Sequence, residues 1–190
     1  MSEILLFHHA QGLTSGVVAF ADALRKAGHT VHTPDLYGGQ TFDTLDDGIA
    51  HAKKVGFGKL AQSGVDAAQN LPSALVYAGF SLGVSPAQQL AQTRPGATGA
   101  LLFHGCLPVS EFGASWPSAV PVQVHAMEHD PFFEEDAEAA HALVQDASEG
   151  ELFLYPGDQH LFTDRSLPAY DEAATSLLMR RVLAFLHNLS

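Results

Sequence analysis

The stretch Ala74-Leu75-Val76-Tyr77-Ala78-Gly79-Phe80-Ser81-Leu82-Gly83 changes character twice within a few residues. Residues 74–78 form a continuous apolar run bounded by Ser73 and Gly79, the pattern of a strand buried on both faces. Residues 86–93 carry a helical pattern that stops before Pro95-Gly96. Between them Gly79-Phe80-Ser81-Leu82-Gly83 spells G-x-S-x-G in the strand-to-helix setting that motif requires. Glycines at both ends allow close backbone approach where a Cβ would clash. A tight turn there lifts the serine hydroxyl clear of the sheet, and the helix N-terminus behind it favours developing negative charge. Outside that setting the same residues read as an ordinary glycine-rich turn. Within it, Ser81 is a candidate nucleophile.

The alternation continues in both directions. Strands are expected over residues 4–7, 30–33, 101–103, 120–126 and 152–155, and helices over 15–27, 45–55, 59–70, 134–147 and 171–189. Gly28, Pro34 and Pro72 punctuate them, and the 134–147 helix opens with the acidic residues its dipole prefers. With the 74–78 run this gives about six short strands separated mostly by helices. Such a pattern predicts βαβ units in a mostly parallel sheet, and right-handed crossovers place helices on both faces. The expected class is therefore α/β, a three-layer sandwich. No repeat, low-complexity tract or linker interrupts it, so one domain is expected over residues 1–190, with no segment left for a large cap.

Composition narrows the function classes. The 46% apolar content of these 190 residues supplies a core and argues against global disorder. Nine Lys and Arg against 21 Asp and Glu leave a net charge of −12, which a nucleic-acid backbone or an anionic membrane would repel. A single cysteine, Cys106, makes neither an internal disulfide nor a thiolate metal cage, and suits a reducing compartment. The N-terminus lacks a basic region and a secretory apolar run, and no stretch is long enough to span a bilayer. An acidic, cytoplasmic protein is expected.

A serine nucleophile needs a base, and the base an orienting carboxylate. In a doubly wound sheet both belong on loops after later strands, at the carboxyl end. Asp130 stands just past the 120–126 strand, in Met127-Glu128-His129-Asp130-Pro131, and His160 just past the 152–155 strand, in Pro156-Gly157-Asp158-Gln159-His160. The order Ser81, Asp130, His160 is that of the α/β hydrolases.

These segments together resemble the dienelactone hydrolase family of that superfamily. The elbow around Ser81, the run from Glu128 to Phe133, the run from Tyr155 to Ser166 and the early loop from Thr33 to Gly39 carry the resemblance. It extends over nearly the whole chain and implies a compact fold with the triad Ser81, Asp130 and His160. By position it also implies oxyanion donors at the backbone N–H groups of Leu82 and Ala10. Two departures stand out. Dienelactone-cleaving members resemble G-x-C-x-G with a glutamate in the first loop, where this chain has Ser81 and, about there, His9. They also carry an arginine four residues after the catalytic histidine, a position occupied here by Asp164. The chemistry transfers better than the substrate does.

Other residues admit plainer readings. Asp158 lies too close in sequence to His160 for an easy side-on approach, and Asp35 after Pro34 suits a turn. Residues four apart in a strand stand roughly 13 Å apart, so His125 and His129 do not chelate one ion. No zinc-ligand spacing occurs, and satisfied or solvated histidines are expected, with no metal. Cys106 reads as a buried inert thiol. His9 and Gln11, on a loop that should line the site, are candidate substrate contacts. Trp116, Phe132 and Phe133 are expected on loops facing the cleft, either as packing or as acyl-pocket walls. The expectation is a cofactor-free serine hydrolase of small esters or lactones, a monomer or weak homodimer. A non-catalytic binding or regulatory module on the same scaffold is the alternative.

Overall fold

The computed structural model describes residues 1–189. Six strands form a single sheet in the order β2-β1-β3-β4-β5-β6. They are β1 (Glu3–Phe7), β2 (Thr30–His32), β3 (Val76–Phe80), β4 (Gly99–Phe103), β5 (Val122–Met127) and β6 (Gly150–Tyr155). Every neighbouring pair is parallel. The helices are α1 (Ser15–Lys26), α2 (Leu45–Val55), α3 (Phe57–Ala67), α4 (Val84–Thr93), α5 (Pro131–Asp146) and α6 (Glu172–Asn188).

Alternation along the strands splits the core into two layers. Ile4, Leu6, Val76, Ala78, Leu101 and Phe103 pack with α1 and α6 on one face. Leu5, Phe7, Tyr77, Ala100, Leu102, Val122 and Val124 pack with α4 and α5 on the other. The central strands β3, β4 and β5 are buried along their whole length, as their unbroken apolar runs require. This is the expected α/β sandwich.

The chain leaves β1 towards β2 on one side, then returns across β1 to build β3 to β6 on the other. The carboxyl ends of β1 and β3 are thus the point where the winding reverses and a crevice opens. Boundaries differ from the sequence expectation in an informative way at two places. Strand β3 runs on to Phe80, so Ser81 follows the sheet directly. Helix α5 starts at Pro131 rather than at residue 134, because Asp130 caps it and Pro131 fills its first turn.

Candidate active site

The turn after β3 explains its own sequence. Ser81 adopts φ +48°, a left-handed conformation that costs a non-glycine residue about 1–3 kcal/mol and persists only where surroundings impose it. The glycines do the imposing. A Cβ on Gly79 would stand 2.1 Å from the Gly83 carbonyl oxygen, so the turn closes on itself only without one. A Cβ on Gly83 would stand 2.6 Å from Phe7 O and 2.7 Å from His8 O. That contact brings the Leu82 region beside the loop after β1, where Ala10 lies. A Cβ on Gly48 of α2 would likewise stand 2.3 Å from Ala10 O, so the helix buttresses this loop from outside. The chain passes from Ser81 through a single 3₁₀ turn, Ser81–Gly83, into α4.

Three loops from three strands converge here. His160 Nε2 lies 2.9 Å from Ser81 Oγ, and His160 Nδ1 lies 2.6 Å from Asp130 Oδ2. A carboxylate only accepts, so Nδ1 carries the proton and Nε2 of the neutral ring accepts from the Ser81 hydroxyl. Asp130 is fully buried, and its other oxygen accepts the Phe132 N–H at 3.0 Å as the cap of α5. Helix and imidazole thus hold the two oxygens of one carboxylate. Asp158 is exposed and bonds to Gln159 instead.

A cleft of about 320 Å³ opens over Ser81, the lower end of the size range for small-molecule sites. Leu82, Val84, Cys106, Leu107, Phe57 and Phe132 supply its apolar wall, and His104, Asp136 and Ser85 its polar groups. Phe132 lines this wall and packs its ring 4.6 Å from the His160 ring. Phe133 does not: it lies on the same first turn of α5 but points into the core, 3% exposed. Trp116 is also corrected. It is buried with the α5 layer, donating from Nε1 to Val120 O and from its backbone to Asp146. Cys106 is buried, and desolvation with the Asp136 charge pushes its thiol up to about 12, so it is inert as a nucleophile.

His9 and Gln11 also depart from expectation. His9 Nδ1 accepts the Gln11 N–H at 3.2 Å, which leaves the proton on Nε2, and Nε2 donates to Asp164 Oδ2 at 2.8 Å. Both residues of the pair are buried. Two of the positions at which this chain departs from the dienelactone-cleaving pattern, His9 and Asp164, are therefore partners of one another. Asp164 further accepts from the Thr14 hydroxyl that caps α1 and from the Ser166 N–H and hydroxyl. Burial alone would raise its carboxyl, but the bonds from His9, Ser166 and Thr14 outweigh burial and hold it at about 2. Gln11 donates from Nε2 to Phe42 O and borders a separate hollow on the far side of His160.

Residues that sequence reasoning passed over also reach the cleft. His104 follows β4 at φ +61°, Nε2 bonded to Thr163 Oγ1 at 2.8 Å, with Nδ1 buried and unpartnered. Burial and the neighbouring histidines keep its ring neutral. Its place after a strand end was the signal available. Asp136 gave a weaker one, four residues after Phe132 on the same helical face. The remaining histidines are satisfied or solvated as expected: His125 bonds Tyr155 and Gln123, His8 bonds His9 O and the Leu36 N–H, and His129 is exposed. Asp35 accepts the Tyr37 and Gly39 N–H groups and closes a turn. Among the described residues no group of three or more His, Cys, Asp or Glu side chains is arranged to hold a metal ion.

A parallel sheet with helices on both faces, and a serine turn, acid and histidine at its carboxyl edge, define the α/β hydrolase class. Within it, the chain belongs to the dienelactone hydrolase family, whose model matches residues 1–190. Solved structures agree on the fold. A dienelactone hydrolase-like promiscuous phosphotriesterase from metagenomic libraries has a TM-score of 0.75 at 21% identity, over 100% of this chain and 87% of that one. A protein of the α/β hydrolase superfamily from Xanthomonas campestris pv. campestris has a TM-score of 0.70 at 21% identity, over 99% of both. Esterase 2 of Thermogutta terrifontis, phosphonylated by cyclosarin, has a TM-score of 0.65 at 17% identity, over 97% of this chain and 83% of that one. None of the curated proteins matches this chain in sequence. No helix among the described residues is long and apolar enough to cross a membrane.

Proposed function

We propose that the protein is a serine hydrolase of small ester or lactone substrates, working through Ser81, His160 and Asp130. The observation that carries the reading is the unbroken line from Asp130 Oδ2 through both His160 nitrogens to Ser81 Oγ. His160 Nε2 takes the Ser81 proton as Oγ bonds to the substrate carbonyl carbon. The Leu82 and Ala10 amides stabilise the resulting oxyanion, and Asp130 steadies the imidazolium. Collapse breaks the ester C–O bond, and His160 returns the proton to the departing alkoxide, leaving an acyl-enzyme and an alcohol. Water then enters, His160 accepts its proton, and collapse of the second tetrahedral species releases the acid and the Ser81 hydroxyl. Every proton and charge in this sequence has a protein partner, so the reading invokes no metal or organic cofactor.

The cleft size supports small acyl groups. A longer chain would extend beyond the cleft and gain only part of about 0.8 kcal/mol per methylene. The net charge of −12 supports neither nucleic acid nor an anionic membrane as partner, and the single thiol fits the cytoplasm. Hydrolysis of p-nitrophenyl esters from two to twelve carbons tests the reading, together with labelling of Ser81 by an organophosphonate. Activity concentrated on short chains with one label per chain is expected. Silence across the whole series, with no label, would instead favour a binding module on this scaffold.

A further inference from the structure

The wall of the Ser81 cleft carries one carboxylate that the proposed reaction does not use. Asp136 stands on α5, half-buried, and faces the same cavity as Ser81 and His160. Its Oδ2 accepts the Cys106 N–H at 3.1 Å. The neighbouring acid Asp130 is already engaged by His160 and the α5 cap. No Lys or Arg among the described residues lines the cavity. Two aromatic side chains on the cavity wall stay exposed, Phe57 at 49% and Phe132 at 46%. Phe132 and Asp136 are four apart on one helix, so ring and carboxylate share a face.

A half-buried carboxylate with no Lys or Arg beside it in the cavity, next to exposed aromatic rings, is the chemistry that receives an ammonium group. We infer that the substrate is an ester bearing a positively charged amino or quaternary ammonium group, held by Asp136 with Phe57 and Phe132, and that carboxylated esters are rejected. The inference rests on the hydrolase reading and specifies its substrate class. Burial raises the Asp136 carboxyl and the Glu135 and Asp130 charges add to it, while the Cys106 N–H and His160 act the other way. A plainer role for Asp136, fixing the loop after β4 through Cys106, requires an acceptor there but no charge.

Two matched ester series separate these roles. In the first, a p-nitrophenyl ester with a trimethylammonium terminus is compared with its tert-butyl carbon isostere and a carboxylate-terminated analogue of equal length. In the second, the acetate of choline is compared with that of its carbon isostere. Each rate is divided by the hydroxide-catalysed rate at the same pH. In at least one series the cationic ester should exceed its isostere in kcat/KM by about tenfold or more, mainly through KM, with the carboxylate analogue below both. Asp136→Asn keeps an acceptor for the Cys106 amide and should bring these ratios towards one, whereas Asp136→Glu should retain part of them. If Asp136→Asn does not melt cooperatively, inhibition of the native enzyme by tetramethylammonium, against tert-butanol as control, gives the same reading. Ratios near one in both series, or ratios that survive Asp136→Asn, overturn the inference while leaving the hydrolase intact. No turnover of any ester, with no phosphonate label on Ser81, overturns both.

Discussion

Two buried histidine–carboxylate pairs lie at the carboxyl end of this sheet, and they are nearly the same object. His160 meets Asp130 at 2.6 Å and His9 meets Asp164 at 2.8 Å. In each, one ring nitrogen donates to the acid. The difference is what the other nitrogen faces. In His160 it faces a hydroxyl that can give up its proton; in His9 it accepts a backbone N–H, from Gln11, that cannot. Asp130 has one further donor, the α5 cap, whereas Asp164 gathers Thr14 and Ser166 and ties α1 to the loop after β6. On the proposed reading, the same kind of pair is reactive or structural according to its third partner. A pattern search for His and Asp in contact would not separate them.

The comparison can be broken from either side. The largest effect is expected at the partner that distinguishes the pairs: Ser81→Ala should lower kcat on the order of 10⁶-fold and abolish phosphonate labelling. Asp130→Asn should follow at about 10⁴-fold in kcat with the fold retained, because the imidazole loses its orienting acceptor. If Asp158→Asn produces that loss and Asp130→Asn does not, the acid has been assigned to the wrong residue.

Cutting the other pair should show mainly in stability. Asp164→Ala strands the buried His9 and Thr14 donors, and a cost of about 3 kcal/mol in urea unfolding is expected. A kcat loss matching that of Asp130→Asn, without loss of stability, would move His9 and Asp164 into the chemistry. The pH dependence of stability carries the same signature. Asp164 sits at about 2 folded, against about 3.9 unfolded. The unfolded chain therefore binds the extra proton, and the contribution is complete above pH ~4 and lost as pH falls towards ~2. Urea midpoints from pH 5 to 3 should show a drop that flattens in Asp164→Ala. The smallest effect is expected where neither pair is touched: iodoacetamide should leave activity nearly unchanged, because the Cys106 thiol, pushed up to about 12, offers almost no thiolate.

What the sequence determined by itself was whatever is encoded over a few neighbouring residues. An apolar run, a glycine-bracketed serine and a helix fix Ser81 at the end of β3. Two further apolar runs put Asp130 and His160 past the ends of β5 and β6, and a parallel sheet carries all three to one edge. The Asp130-Pro131 pair carried a signal for the start of α5 that the expectation of a helix from residue 134 missed. Tertiary structure decided matters that no local pattern holds. Phe132 and Phe133 are adjacent and chemically alike, yet the helical turn sends one to the cleft and the other to the core. Trp116 reads as a loop aromatic, but its ring NH finds Val120 O and its apolar surface finds the α5 layer. His9 and Asp164 stand 155 residues apart, and neither site resembles half of a pair. Periodicity records which face of an element is apolar, whereas the partner of a buried polar group depends on which distant loop the folded sheet brings beside it.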